Sequence, residues 1–221
     1  MGSRIITIIA LFAAVAVAGA QVKGAEFQAV VKSDKKQVVE DAVVALVPMG
    51  GEIPEPEKTL TAVMDQVDKE FVPRVLPVRT GTKVSFPNSD NILHHVYSFS
   101  KAKPFELPLY KGAPANPVVF DNPGVVVLGC NIHDWMKGYI VVLETPWFGK
   151  TGDKGKTLIK DVPPGRYKIF LWHPESASKN LDPAGEAAIV KDEIAKKEYT
   201  IKLKGGKKKS RAPDPAGVIN Y

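Results

Sequence analysis

The chain has 221 residues and a formal net charge of +6, with 44% hydrophobic and 24% charged residues, which is the balance of a globular protein rather than a disordered or collagen-like one. A single cysteine excludes an internal disulfide and a zinc finger of the multi-cysteine kind. Four histidines are too few for a polynuclear copper enzyme, and the length allows one large or two small domains.

The first 20 residues have the three parts of a secretory signal peptide. Arg4 supplies a basic start, the apolar run IITIIALFAAVAVA follows, and AGA ends the segment. The run is shorter than the roughly 20 apolar residues of a membrane-spanning helix, although an uncleaved anchor is the alternative. We expect cleavage after Ala20, or after Ala25, and no transmembrane segment in the mature chain. Without Arg4 the mature chain has 29 basic and 24 acidic residues, a net charge of +5. We predict export to a bacterial periplasm.

The rest of the sequence indicates an all-β fold. Val, Ile, Thr and aromatic residues are interrupted by 18 Gly and 18 Pro, and no long segment keeps the 3.6-residue apolar period of a helix. The predicted strands, in chain order, are Phe27–Val31, Ala42–Val47, Val72–Val78, Lys83–Pro87, His95–Phe99, Val118–Phe120, Val125–Gly129, Gly138–Glu144, Thr157–Lys160, Tyr167–Trp172, Ala187–Val190 and Tyr199–Leu203.

Composition divides the chain into five segments. They are a signal peptide (1–20), an N-terminal β segment and linker (21–58), a first β unit (59–144), a second β unit (145–204), with residues 27–48 as candidates to complete it, and a flexible basic tail (205–221). The tail sequence KKKSR could bind nucleic acid, but export makes a solvated tail the preferred interpretation, so we expect no nucleic-acid partner.

Residues 129–140 carry the clearest chemical signal. They read GCNIHDWMKGYI, which places Cys130, His133 and Met136 on one loop between two apolar strands. Thiolate, imidazole and thioether together favour copper over Mg, Ca or Mn, and Met is a poor ligand for a structural zinc site. An electron-transfer copper centre has two His, one Cys and a weak axial Met, so one imidazole is missing from this loop.

The missing imidazole can come from the upstream segment FPNSDNILHHVYSF. Only one of His94 and His95 should reach a metal, because successive residues of a strand face opposite ways, and this argument prefers neither. Alone, a His is more often structural, a Met more often core, and a single Cys more often buried and inert. Four ligand types in this order are hard to explain as packing, and an exported lone thiol is open to oxidation unless something occupies it.

These segments resemble the cupredoxins, the blue-copper family of plastocyanin, pseudoazurin and amicyanin. The resemblance covers roughly Met64 to Leu143, and the short CxxHxxM loop followed by a basic residue and Gly is most similar to amicyanin, the electron acceptor of methylamine dehydrogenase. It implies a Greek-key β-sandwich that holds one copper ion per chain and transfers single electrons. Because no paired carboxylates, nucleophile–base pair or open metal position stands out, we expect an electron carrier and not an enzyme.

The resemblance also selects the site residues. The implied ligands are His94, Cys130, His133 and Met136. In plastocyanin-like members the first ligand follows an Asn by six residues, as His94 follows Asn88, so the resemblance selects His94 over His95. These relatives carry an Asn after the first histidine, which ties the two ligand segments together. Here that position is His95 and the amide is at Asn131, which changes the hydrogen bonds near the sulfur that tune the redox potential.

Three residues of the loop are candidates for partner docking. By resemblance, electrons leave through the edge of His133, ringed by Ile132 and Trp135, although Trp135 could equally pack beneath the loop. Lys137 and the net positive charge favour an acidic redox partner, such as a c-type cytochrome or a periplasmic dehydrogenase, although dispersed lysines are usually only solvated.

The segment after Pro146 resembles the carboxypeptidase-regulatory-like β-sandwich, through the steps TGDKG and VPPGRY. Phe27–Pro48 resembles the opening strands of that module, so we expect the copper domain to be inserted within it. His173 is interpreted as structural because no Cys or His lies near it in the sequence. Two alternatives to an electron carrier are a periplasmic copper-binding or delivery protein without redox partners and a structural β module with a vestigial site.

Overall fold

The computed structural model describes residues 24–56, 58–114 and 116–204. These residues form 17 β-strands, and they include no helix that could cross a membrane. The strands are β1 (Ala25–Ser33), β2 (Val43–Pro48), β3 (Thr61–Val63), β4 (Asp65–Val67), β5 (Glu70–Val72), β6 (Val75–Arg79), β7 (Thr82–Ser85), β8 (His94–Ser98), β9 (Phe105–Tyr110), β10 (Val118–Phe120), β11 (Gly124–Cys130), β12 (Lys137–Leu143), β13 (Phe148–Lys150), β14 (Lys156–Val162), β15 (Gly165–Trp172), β16 (Asp182–Ile189) and β17 (Ile194–Ile201). The all-β fold class is thereby confirmed, whereas the predicted signal peptide 1–20 and basic tail 205–221 lie outside the described residues.

Four sheets stack as four layers. Sheet I has the order β14-β1-β17, sheet II β13-β2-β15-β16, sheet III β6-β12-β11-β8-β9 and sheet IV β10-β7-β3, while β4 and β5 form a separate hairpin. One hydrophobic core fills the space between sheets I and II, a second lies between sheets III and IV, and a third joins sheets II and III. The two inner sheets are therefore covered on both faces.

Double coverage explains why two strands have continuous apolar sequences. In β2, which reads VVALVP, Val44 and Leu46 enter the core against sheet I, whereas Val43 and Ala45 enter the core against sheet III. In β12, alternate residues likewise divide between the cores on its two sides. A strand that is buried on one face only would alternate between apolar and polar residues.

The chain leaves sheet II and returns to it. β1 pairs with β14 and β17, and β2 pairs with β13 and β15, so residues 25–48 share sheets with strands that follow residue 147. All strands of sheets III and IV and the β4–β5 hairpin come from residues 61–143.

The structure differs from the predicted strands at several places. The segment predicted as one strand over Val72–Val78 contains only the last residue of β5, followed by most of β6, because Pro73 has no N–H to donate and the chain changes partners there, from β4 to β12. The strands β3, β4, β9 and β13 were not predicted. β3, β4 and β13 have three residues each, and β9 is an edge strand that contains Pro108, a position where proline is tolerated.

Candidate metal centre

Two separate segments bring sulfur and nitrogen atoms together at one end of sheet III. β8 begins at His94, and β11 ends at Cys130, which pairs with Val96 of β8. The loop between β11 and β12 carries His133 back toward the same point. The Cys130 Sγ lies 3.6 Å from His94 Nδ1 and 3.7 Å from His133 Nδ1.

These separations fit a common metal ion. Ligands at about 2.0 Å (nitrogen) and 2.3 Å (sulfur) from one ion, at angles near tetrahedral or trigonal, lie about 3.5–3.7 Å apart. The ligand atoms of His94, Cys130 and His133 all lie within 4.8 Å of one another. Both imidazoles turn Nδ1 toward the sulfur, so the three donors could bind one ion without rearrangement of the chain. Two imidazoles and a thiolate are a donor set suited to copper.

The candidate ligands are buried. His94 is 0% exposed, Cys130 3% and His133 9%, so only His133 has an edge near the surface. Met136 is 1% exposed and belongs to the same hydrophobic core as Cys130. Its backbone N–H donates to the His133 carbonyl at 2.9 Å, which closes the loop that carries both residues.

Asp90 orients His94 from the side away from the sulfur. Its Oδ2 lies 2.7 Å from His94 Nε2, and the backbone N–H groups of Asp68 and Lys69 donate to the two carboxylate oxygens at 2.7 and 2.9 Å. Although burial acts to raise the pKa of Asp90, the hydrogen bonds from His94 and from these N–H groups lower it below its ordinary value. A carboxylate bound to the distal nitrogen fixes both the tautomer and the ring orientation of a ligating histidine.

Asn88 fixes the loop that leads to His94. Its side-chain amide donates to the Ile92 carbonyl at 2.8 Å and to the Tyr110 carbonyl at 2.9 Å, and its Oδ1 accepts the Asp90 N–H at 3.0 Å. The side chain is thus bonded on both sides in a 5% exposed position. Asn88 therefore acts on the candidate site through Asp90 and the His94 segment.

His95 turns away from the three donors. Its Nε2 lies 2.8 Å from Glu106 Oε1 on the neighbouring strand, and its ring makes an edge contact with Tyr97. The two ligand segments are tied together through the backbone, by a 3.2 Å hydrogen bond from the Asn131 N–H to the His95 carbonyl. Asn131 itself is exposed.

The three docking candidates occupy different environments. Ile132 is 48% exposed beside His133. Trp135 is half-buried, packs against the second core and makes a tilted contact with the His133 ring, with 5.1 Å between the ring centroids. Lys137 is exposed at the start of β12. Only Ile132 thus presents a large apolar surface from this loop.

The surroundings of His133 favour its neutral form. Burial lowers the pKa of His133 below its ordinary 6.5, and the neighbouring His94 and Lys69 lower it further against the opposing influence of Asp90. A neutral imidazole is the form that binds a metal, so protons compete less with a metal at this position.

Sequence reasoning missed Asp90, Gln66 and Tyr110. Gln66 is fully buried and donates through Nε2 to the Pro87 carbonyl at 3.0 Å and to the Tyr110 hydroxyl, which donates to the Phe86 carbonyl at 2.8 Å. Burial raises the pKa of Tyr110 to about 12, so its hydroxyl stays protonated. For Asp90, the only signal in the sequence was its position four residues before His94. An Asp at this spacing from a His is too common to identify a partner of a metal ligand.

The solved structures with which this chain aligns include cupredoxins. A mutant amicyanin with Cu(I) is 22% identical, over 38% of this chain and 82% of the other, with a TM-score of 0.35. A purple cupredoxin from Nitrosopumilus maritimus is also 22% identical, over 38% and 99%, with a TM-score of 0.33. A Cu-containing nitrite reductase from Thermus scotoductus is 30% identical, over 45% of this chain and 25% of the other, with a TM-score of 0.36.

No protein-family model and no curated protein sequence matches the chain. Since the structural likenesses are partial, the chemical interpretation rests on the donor geometry of the candidate site.

Proposed function

We propose that this chain is a periplasmic type 1 copper protein that carries single electrons between redox partners. The observation that supports this most strongly is the buried set of Cys130 Sγ and two imidazole Nδ1 atoms at 3.6 and 3.7 Å. His94, Cys130, His133 and Met136 would together hold one copper ion. When bound, copper supplies a one-electron couple between Cu(I) and Cu(II).

The protein's contribution is to hold the ligands still. His94 is fixed by Asp90 on one nitrogen and by the strand β8, while His133 is held by the short loop and by the Trp135 ring. A rigid ligand set changes little between two oxidation states. Because the donors are buried, water and substrates are kept away, which favours electron transfer over catalysis at this site.

His133 is the proposed route for electrons to and from the surface. It is the most exposed of the three donors, at 9%, and Ile132 beside it offers an apolar contact. Redox contacts of this kind are small and transient. Lys137 and the net positive charge favour an acidic partner, such as a c-type cytochrome or a periplasmic dehydrogenase of amicyanin-like pathways.

The periplasmic location rests on the sequence of the first 20 residues and on the use of the cysteine. The single Cys130 is buried beside two imidazoles, where a metal ion would protect the thiolate in an oxidising compartment.

We further propose that residues 59–144 are a cupredoxin domain inserted into a carboxypeptidase-regulatory-like β-sandwich made from residues 27–48 and 145–204. The proposal is supported by the pairing of β1 and β2 with strands of the second segment, and by a core that is shared between sheets I and II. His173 belongs to this second unit. It is 5% exposed and its Nδ1 accepts the Glu175 N–H at 3.1 Å, as expected for a structural histidine.

A visible spectrum of the copper-loaded, oxidised protein tests the proposed function. An intense thiolate-to-copper band that disappears in Cys130→Ser, together with reversible voltammetry, is the expected result. A protein that binds copper without this band, or that releases it readily to a chelator, would instead be a copper-binding or delivery protein. Refolded protein that takes up no stoichiometric copper would leave only a structural β module.

A further inference from the structure

An open cleft lies where the two β units meet. It has a volume of about 1010 Å³, which is at the upper end of ligand sites. Residues of the segments 100–102 and 122–127 form one wall, and residues 172–180 form the other. The Trp172 ring of the second wall contacts the Tyr139 ring, with 5.4 Å between the ring centroids, at the place where sheets II and III share a core.

The lining of this cleft is basic. Four exposed lysines contribute to it, Lys101, Lys137, Lys179 and Lys204, and no acidic residue of the described chain lines it. Among the described residues, none of the four lysines forms an ion pair within 4.0 Å. The remaining polar lining consists of Ser and Asn side chains, which can donate hydrogen bonds to an anionic group. We call this surface the basic cleft.

The basic cleft is continuous with a groove beside the candidate metal centre. The groove has a volume of about 430 Å³, is lined by Cys130 and Met136, and shares Ser100, Val127 and Lys137 with the cleft. Its acidic lining residue is Asp134.

Two apolar side chains lie where the groove meets the cleft. Phe99 is 86% exposed and Val127 43%. A bound segment could therefore be held by lysines along its length and by an aromatic contact near the metal ligands.

The charges of the chain indicate which kind of molecule the basic cleft binds. A second copy of the mature chain would bring a net charge of +5, and the tail beyond Lys204 contains KKKSR, so both would be repelled by the cleft. An acidic polypeptide would be attracted, and its acidic side chains would match lysines that have no partner among the described residues.

We propose that the basic cleft binds an acidic segment of a protein redox partner and so positions that partner against the metal centre. The identity of the partner as a redox protein rests on the proposed function, whereas the binding of an acidic polypeptide does not. The proposal assigns a role to the second β unit, which supplies Lys179 and Lys204 to the surface.

The test measures binding of a fluorescein-labelled oligoglutamate peptide to the full mature chain without metal, by fluorescence anisotropy at low salt. The cleft variant is Lys101→Glu/Lys179→Glu. The matched control is Lys160→Glu/Lys196→Glu, which makes the same change in net charge on the exposed face of sheet I. We expect the dissociation constant of the cleft variant to rise about tenfold above that of the control, because each reversal replaces an attraction by a repulsion. Phe99→Ala should weaken binding severalfold.

Equal weakening by the two double variants would overturn the proposal, since it would show a response to net charge alone. Cleft-dependent binding of heparin without such binding of oligoglutamate would also overturn it, because the occupant would then be a sulfated glycan. Binding of the peptide needs no copper, so the two proposals can fail separately. If the protein shows the copper spectrum but the cleft variant binds the peptide as well as the control does, only this inference is wrong. If the cleft binds the peptide but the protein shows no blue copper spectrum, only the redox role is wrong.

Discussion

Asp90 and Cys130 lie on opposite sides of the same imidazole ring. The His94 Nε2 is 2.7 Å from Asp90 Oδ2, and the Nδ1 of that ring is 3.6 Å from Cys130 Sγ. The carboxylate is in turn held by backbone N–H groups of Asp68 and Lys69, whose left-handed φ angles of 54° and 60° turn both groups toward it. The position of the candidate ligand is thus determined by a chain of contacts that begins in the β4–β5 turn.

Replacement of Asp90 should weaken metal binding without touching a ligand. The side chain in Asp90→Asn keeps one acceptor oxygen, but its NH₂ group would lie opposite a backbone N–H group. Asp90 accepts a hydrogen bond from that N–H group, and the NH₂ group cannot. We expect copper affinity to fall about 10–100-fold, the usual effect of losing an outer hydrogen-bond partner of a metal ligand. Competition with a chelator measures it, and the exposed Asp153→Asn is the control. An unchanged affinity would show that the carboxylate does not orient His94.

The two adjacent histidines offer a matched pair of variants. His94→Ala removes a donor 3.6 Å from the thiol and should abolish the thiolate-to-copper band. His95→Ala removes a ring that bonds Glu106 instead, and should only shift the band through the backbone bond between residues 95 and 131. Titration of each variant with Cu(II), followed by visible absorption, provides the measurement. Loss of the band in His95→Ala and not in His94→Ala would reverse the assignment.

The stability of the metal-free protein should depend on the protonation of His133. Because the pKa of His133 is lower in the folded chain than its ordinary 6.5, the unfolded chain takes up the proton first as the pH falls. The free energy of unfolding contributed by this group is therefore complete above pH 6.5 and decreases below it until the folded pKa is reached. The slope cannot exceed about 1.4 kcal/mol per pH unit for one group.

Urea unfolding of the metal-free chain between about pH 7.5 and 5.5 checks this dependence. His133→Gln removes the group and should flatten the curve. Burial also lowers the pKa of His173, but that residue is present in both proteins, so the difference between them reports on His133. Parallel curves for the two proteins would contradict the prediction.

Spacing and donor chemistry allowed much of the site to be anticipated from the sequence. Cys130, His133 and Met136 are close along the chain, so one loop suffices to bring them together. The choice between His94 and His95 could not come from strand alternation, which says only that they face opposite ways. The role of Asp90 could not be predicted from the sequence because it depends on the β4–β5 turn. The two N–H groups of that turn, which bond the Asp90 carboxylate, are about twenty residues away in the sequence.

The strands, too, could be predicted where the local sequence pattern is sufficient, but not where they depend on tertiary contacts. Continuous apolar runs in β2 and β12 indicated strands, but not that each has a sheet packed on both faces. β9 contains charged and proline residues at Glu106 and Pro108, and its strand conformation depends on pairing with β8. Three-residue strands carry too short a pattern for any periodicity to be detected.

The core between sheets II and III should be as important for stability as those inside the two units. Trp172 is 3% exposed and lies in that core with Val43, Val75 and Val141. Trp172→Ala should therefore lower the free energy of unfolding by about 3–5 kcal/mol, the usual cost of removing a buried large aromatic side chain. Phe99→Ala, a comparable truncation at an 86% exposed position, should change stability by less than about 0.5 kcal/mol.

Chemical denaturation of both variants, followed by far-UV circular dichroism, measures the two effects. The copper spectrum of folded Trp172→Ala should match that of the parent protein, because Trp172 packs on the face of sheet III opposite the core that contains Cys130 and Met136. A biphasic unfolding curve would show that the variant has separated the two units into independent folding bodies. A loss below about 1 kcal/mol with a single transition would mean that the junction contributes little and that the sheets are held by their outer cores alone.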